Sequence, residues 1–142
     1  MNQVVILVPT DGSEGANKAL HYAVETVRNT NGKILLLNVQ PNYFTPNVKM
    51  FFNKKAVEEY TELMASEALE APKKILEESG VPYEIKVRVG ISKSVICQEA
   101  RESEVHSIVM GYRGMGAVLG TVMGSVCFAV LQETPCPITI VP

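Results

Sequence analysis

The sequence lacks the features that tie a chain to a membrane, a nucleic acid or an oxidising compartment. It has three cysteines, Cys97, Cys127 and Cys136, an odd number with no CxxC spacing. That count excludes a fully paired disulfide framework and fits a reducing cytoplasm. Long hydrophobic runs are missing: Val4 to Pro9 and Ile34 to Leu37 are typical of those present, whereas a membrane-spanning helix needs about 20 apolar residues. No basic stretch followed by a long apolar segment opens the chain, so no signal peptide is expected. An excess of one charge is also missing. With 13 Lys and Arg against 15 Asp and Glu, the formal net charge is -2, which offers no cationic field to nucleic acid or anionic lipid. The expectation is a cytoplasmic protein with neither membrane nor nucleic-acid partner.

Two common phosphate-binding templates are absent as well. No lysine precedes Ser125, so GxxxxGK[ST] does not occur, and neither does GxGxxG. A P-loop NTPase and an ordinary dinucleotide-binding domain are both disfavoured. A receiver domain needs a phosphoacceptor aspartate at the end of its third strand, and that end reads Val87-Arg88-Val89-Gly90.

Two periods alternate over the 142 residues, enough for one domain spanning 1–142 with its own core. Val4 to Val8 is a continuous β-branched and aliphatic run, the pattern of a strand covered on both faces. Pro9-Thr10-Asp11-Gly12-Ser13 breaks it, and either Asp11 or Ser13 can cap the next helix. In that helix Ala16, Ala19, Leu20, Ala23, Val24 and Val27 recur at three- and four-residue steps. Lys33 to Gln40 reads as a second buried strand, and residues 41–53 as a long irregular stretch with Tyr43, Phe44, Phe51 and Phe52. That stretch is expected to fold back as a lid or dimer contact, or else to stand exposed as a partner patch. A second helix is expected to bury Val57, Tyr60, Met64, Ala68, Ala71 and Ile75, with a kink or break at Pro72. Tyr83 to Val89 is a third strand, a short helix surrounds Val95, Ile96 and Ala100, and Ser107 to Met110 is a fourth strand. Residues 124–133 form a fourth helix and Ile138 to Val141 a fifth strand.

Five strands alternating with four helices predict an α/β fold. The expected form is a single doubly wound, Rossmann-like, five-stranded, mostly parallel sheet with helices on both faces. Such sheets bind ligands at the strand carboxyl ends where the winding reverses. If the first and fourth strands flank that point, Pro9-Thr10-Asp11 faces the loop after Met110.

That loop holds half of the chain's ten glycines, between Gly111 and Gly124. Glycine permits positive φ and lets backbone N–H groups approach an anion, and the helix opened by Gly124-Ser125 favours negative charge at its start. Polyphosphate suits this combination, although glycine content alone is equally compatible with a surface loop that holds nothing. His21 and His106 have no neighbouring nucleophile or metal-ligand pattern, so no catalytic dyad or metal site is expected. The three cysteines are read as core or structural residues.

Gly111-x2-Gly114-x9-Gly124-Ser125 matches the G-x2-G-x9-G-[S/T] pattern of the ATP-binding branch of the universal stress proteins. Val8-Pro9-Thr10-Asp11-Gly12-Ser13 and Pro135-Cys136-Pro137-Ile138-Thr139-Ile140-Val141 resemble that family's first strand end and closing segment, and the order of elements agrees over nearly the whole chain. The resemblance implies an ATP-binding stress-response regulatory protein, with AMP or ADP as alternative ligands and Mg2+ bridging the phosphates. It puts Pro9, Thr10 and Asp11 on the adenosine side and Val39 and Met110 against adenine. Gly111, Gly114, Gly124, Ser125 and Val126 form a phosphate cradle, with Arg113 as the nearby cation. A bulky side chain at Gly114 or Gly124 is expected to fill the phosphate space and to penalise positive φ. The chain departs from the pattern at Ile91-Ser92, where relatives often have an acidic or small residue followed by proline. It departs again at Ala117-Val118-Leu119, where they often carry a basic residue. A homodimer through edge strand 138–141 is implied too. The other function class, a slow ATP-hydrolysing or phosphate-transferring enzyme, lacks a second cation and any carboxylate between Met110 and Glu133.

Overall fold

Continuous aliphatic strands must be covered on both faces, and amphipathic helices supply the cover. The computed structural model describes residues 3–114 and 123–142. Its elements are β1 (Val4–Pro9), α1 (Glu14–Arg28), β2 (Gly32–Gln40), α2 (Pro46–Lys49) and α3 (Lys54–Ser79). They continue with β3 (Tyr83–Val89), α4 (Ser92–Glu102), β4 (Ser107–Gly111), α5 (Ser125–Glu133) and β5 (Ile138–Val141). The strands form one sheet in the order β3-β2-β1-β4-β5, parallel at every pairing. The winding reverses between β1 and β4, as expected.

Each face has its own core. Ile6 and Val8 of β1 and Ile34 and Leu36 of β2 pack with the predicted stripe of α1 and with Leu76 of α3. Leu7, Leu35 and Leu37 point the other way, onto Ile96, Cys97 and Ala100 of α4 and Cys127 and Val130 of α5. The period of two along a strand thus feeds both layers from one run of residues. Ser13 is the N-cap of α1, accepting from the Ala16 amide at 3.2 Å, while Asp11 Oδ1 accepts from the Ser13 amide at 2.9 Å. Of the two candidate caps Ser13 is the one used, and Asp11 instead holds the amide of that cap residue.

Three expectations need correction. Residues 41–53 are not irregular throughout, because Thr45 caps the single turn α2 with Pro46 at its start, a position whose missing N–H costs nothing. The helix count rises from four to five among the described residues. In α3 the buried residues are Val57, Ala65, Pro72 and Leu76, whereas Tyr60 and Ala71 are exposed. Val57 is buried as expected and Met64, Ala68 and Ile75 are half-buried, so the covered face overlaps the expected one and is rotated from it. Finally, α3 runs past Pro72 without a break and ends at Gly80, whose φ of 75 suits glycine.

Candidate functional site

β1 and β4 stay in register only where Ile6 pairs with Ser107 and Leu7 with Ile108. Beyond those pairs the two strand ends diverge, and a cleft opens between them. Pro9, Thr10 and Asp11 line one side, with Val39 from the end of β2. Met110, Gly111, Arg113 and Gly114 line the other, and Gly124, Ser125 and Val126 close it at the start of α5. All residues singled out in the sequence thus border one cleft. Its wall also includes Leu37, Ile96, Ser92 and Cys127, none of them expected. The signal for Leu37 was available in the strand period, because it shares a face with Val39. Ser92 and Ile96 come from α4, which no local motif ties to the cleft.

The first loop is held by its own polar groups. The Thr10 hydroxyl accepts from the Gly12 amide at 3.1 Å, and the Thr10 amide donates to the Leu37 carbonyl at 2.8 Å. Gly12 has a φ of 80, and a Cβ there would lie 2.6 Å from the Ala68 carbonyl oxygen of α3. Only glycine meets both constraints.

The two ends of the glycine-rich loop are pinned together. The Gly124 amide donates to the Tyr112 carbonyl and the Tyr112 amide to the Val141 carbonyl, both at 2.8 Å. Residues 115–122, including Gly116, Gly120 and the departure at Ala117-Val118-Leu119, lie outside the described residues. Gly124 is the N-cap of α5, with a φ of -63, and Gly114 is not among the positive-φ glycines. Positive φ is therefore not the reason for glycine at either position. At Gly114 the reason is space, since a Cβ would run into the Asp11 carboxylate. Because the Gly124 amide is already bonded, the donors facing the cleft from this end are the first-turn amides of α5 and the Ser125 hydroxyl. These amides have no acceptor within the helix, and the helix dipole adds to their attraction for an anion.

Apart from Cys127, whose residue borders the cleft, the histidines, the other cysteines and Glu99 lie outside its lining. His21 and His106 are exposed. Among the described residues no cluster of three His, Cys, Asp or Glu side chains could hold a metal, and no helix is long and apolar enough to cross a membrane. Burial pushes the thiols of Cys97, Cys127 and Cys136 upward, which leaves them poor nucleophiles. Glu99 is buried on α4. Its Oε2 accepts from Lys86 Nζ at 3.0 Å and from the Ser103 hydroxyl, and Arg88 Nε lies 3.5 Å from Oε1.

Comparison with known proteins places these features in context. The model of the universal stress protein family matches residues 5–142. Universal stress protein Sll1654 of Synechocystis is 28% identical over 137 residues, which are 96% of this chain and 84% of the relative. Among solved structures, hypothetical protein MJ0577 superimposes with a TM-score of 0.83 at 27% identity, covering 99% of this chain and 96% of that one. A universal stress protein family protein of Arabidopsis thaliana, solved with AMP bound, gives a TM-score of 0.70 at 24% identity, covering 97% and 90%.

Proposed function

The chain belongs to the universal stress protein family, and on that premise we propose that its cleft binds an adenine nucleotide, ATP foremost, as a regulatory signal. The observation that carries this reading is the polarity of the cleft. Part of its lining is apolar, from Val39, Leu37, Ile96 and Met110, a chemistry that suits a purine ring. Another part offers the start of α5, the Ser125 hydroxyl and the Arg113 guanidinium, which suit phosphates. AMP in the Arabidopsis relative supports the same ligand class. Residues 1–142 would act as one nucleotide-binding unit in the cytoplasm, paired with a second copy through β5 and read by a downstream partner.

Magnesium bridging the phosphates would find one carboxylate among the described lining residues, that of Asp11. That carboxylate lies against Gly114, closer to the phosphate end than the family resemblance implies. It gives the enzyme reading one group it lacked, but transfer also needs cations on the moving phosphoryl group. The sequence supplies only Arg113 between Met110 and Glu133. Turnover is therefore expected to fall far below the ~1–100 per second of kinases.

Equilibrium titration with ATP and GTP tests the binding reading. ATP should bind and GTP should bind more weakly, because an apolar slot with few polar groups cannot satisfy the guanine amide. Equal affinity, or no binding of either, would overturn it. Phosphate release under saturating ATP and magnesium decides between signal and substrate.

A further inference from the structure

At its carboxyl end β2 alternates in chemistry as well as in direction. Leu37 and Val39 face the cleft, while Asn38 and Gln40 are buried on the opposite face of the sheet. Buried amides need partners, and here they form a chain. Asn38 Nδ2 donates to the Thr10 carbonyl at 2.9 Å, and Gln40 Nε2 donates to Asn38 Oδ1 at 2.8 Å. The Tyr43 hydroxyl then donates to Gln40 Oε1 at 3.0 Å. Tyr43 also meets Tyr60 of α3 edge-on, with ring centroids 4.9 Å apart.

The direction of this chain is forced from one end. A backbone carbonyl can only accept, so Asn38 turns its nitrogen to Thr10, and each amide shows its oxygen to the next donor. The chain must finish on a group that donates, and the Tyr43 phenol does so. Burial, then the neighbouring Tyr60, raises the Tyr43 pKa and keeps that proton in place. Bonds aligned in one sense also polarise one another.

Thr10 lines the cleft. Tyr43 lies near the start of residues 41–53, whose far end exposes Met50, Phe51 and Phe52. We infer that the Asn38–Gln40–Tyr43 chain is a coupling device that ties occupancy of the cleft to the position of residues 41–53. A second contact takes the same route, because Gly12 of the cleft loop lies against the backbone of α3, the helix that holds Tyr43 through Tyr60. Linkage then requires that whatever steadies one end steadies the other by the same factor. The ligand in this inference is the nucleotide proposed above, but the coupling can be read without it.

Hydrogen exchange on the full chain provides the test. Tyr43→Phe keeps the ring against Tyr60 and deletes only the donor. Without ligand it should speed exchange in residues 41–53 and also in residues 9–13, by roughly two- to tenfold for one lost hydrogen bond. ATP should slow exchange in residues 41–53 of the wild type, and Tyr43→Phe should weaken ATP binding by a similar factor. Gln40→Glu keeps the shape but removes the donor to Asn38, and it should uncouple the ends in the same way. A Tyr43→Phe effect confined to residues 41–53, with residues 9–13 and ATP affinity unchanged, would overturn the coupling while leaving the nucleotide reading intact. If ATP does not bind the wild type, the nucleotide reading falls. The ligand-free exchange then still decides the coupling, for it if both segments respond and against it if one does.

Discussion

The carboxylate of Asp11 stands where a side chain on Gly114 would begin, so the loop after β1 and the loop after β4 touch across the mouth of the cleft. A methyl group at Gly114 would push away a carboxylate that also holds the Ser13 amide at the start of α1. Gly114→Ala should weaken ATP binding by roughly tenfold, the scale of one disturbed charged hydrogen bond. Gly124→Ala should bind almost as wild type does, because its Cβ would find Arg113 Cα and the Tyr112 oxygen at 3.4 Å, an ordinary contact. Calorimetric titration of both variants separates the positions. Equal losses would mean that the loops do not meet as described.

Glu99 links stability to pH. Burial alone would raise its pKa, but the bonds from Ser103 and Lys86 and the charges of Lys86 and Arg88 outweigh it and hold the carboxyl below its ordinary range. A group lowered on folding stabilises above its unfolded value, about 4.3 for glutamate, and that stabilisation is lost as pH falls through the folded value. The stability of the wild type to urea should weaken as pH falls through and below that range. Glu99→Gln should be less stable at pH 7, by about 1–3 kcal/mol, since it leaves buried partners poorly matched. It should also show a shallower acid slope.

The thiols give a test of packing. Cys97 and Cys127 are buried and Cys136 is partly so, and all three are raised by burial. A thiol reagent at pH 8 should therefore modify the native protein slowly, Cys136 first, and the unfolded chain at once. Rapid native labelling of Cys127 would place the wall of the cleft in water.

Among the described residues β5 pairs only with β4, which leaves its other edge without a strand, and its residues are all half-buried. Open edges invite a second strand. The chain should be a homodimer by light scattering, and deletion of residues 137–142 should give monomer or aggregate. A dimer that survives the deletion must use another surface.

The strands were legible because their boundaries carry their own chemistry. Gly80-Val81-Pro82 fixes the start of β3, and Thr10 to Ser13 separates β1, which runs one residue further than expected to include Pro9, from α1. The face of α3 was not legible. Ala65, Ala68 and Ala71 are equal in hydropathy, so the pattern cannot say which of them is covered. Packing alone decides, burying Ala65, half-covering Ala68 and leaving Ala71 in solvent, while Leu76 joins the core with Leu36 and Val81. The turn α2 carried a readable signal, Thr45 followed by Pro46, hidden among aromatics that suggested a loop. The cleft residues were legible through the glycine spacing and the order of the strands. The partners of Asn38 and Gln40 were not, since a polar residue inside a strand run says that it needs a partner without saying which.

Gly111 approaches Gly15 so closely that a Cβ on Gly111 would lie 2.6 Å from the Gly15 carbonyl oxygen, and α1 shares a core with Val109 of β4. The register between β1 and β4 is short, and α1 lies across that seam, packing against both strands. A molecule seated across the cleft would act as a rivet at the unstitched end. The close approach of Gly111 to Gly15 is what lets α1 sit against that seam.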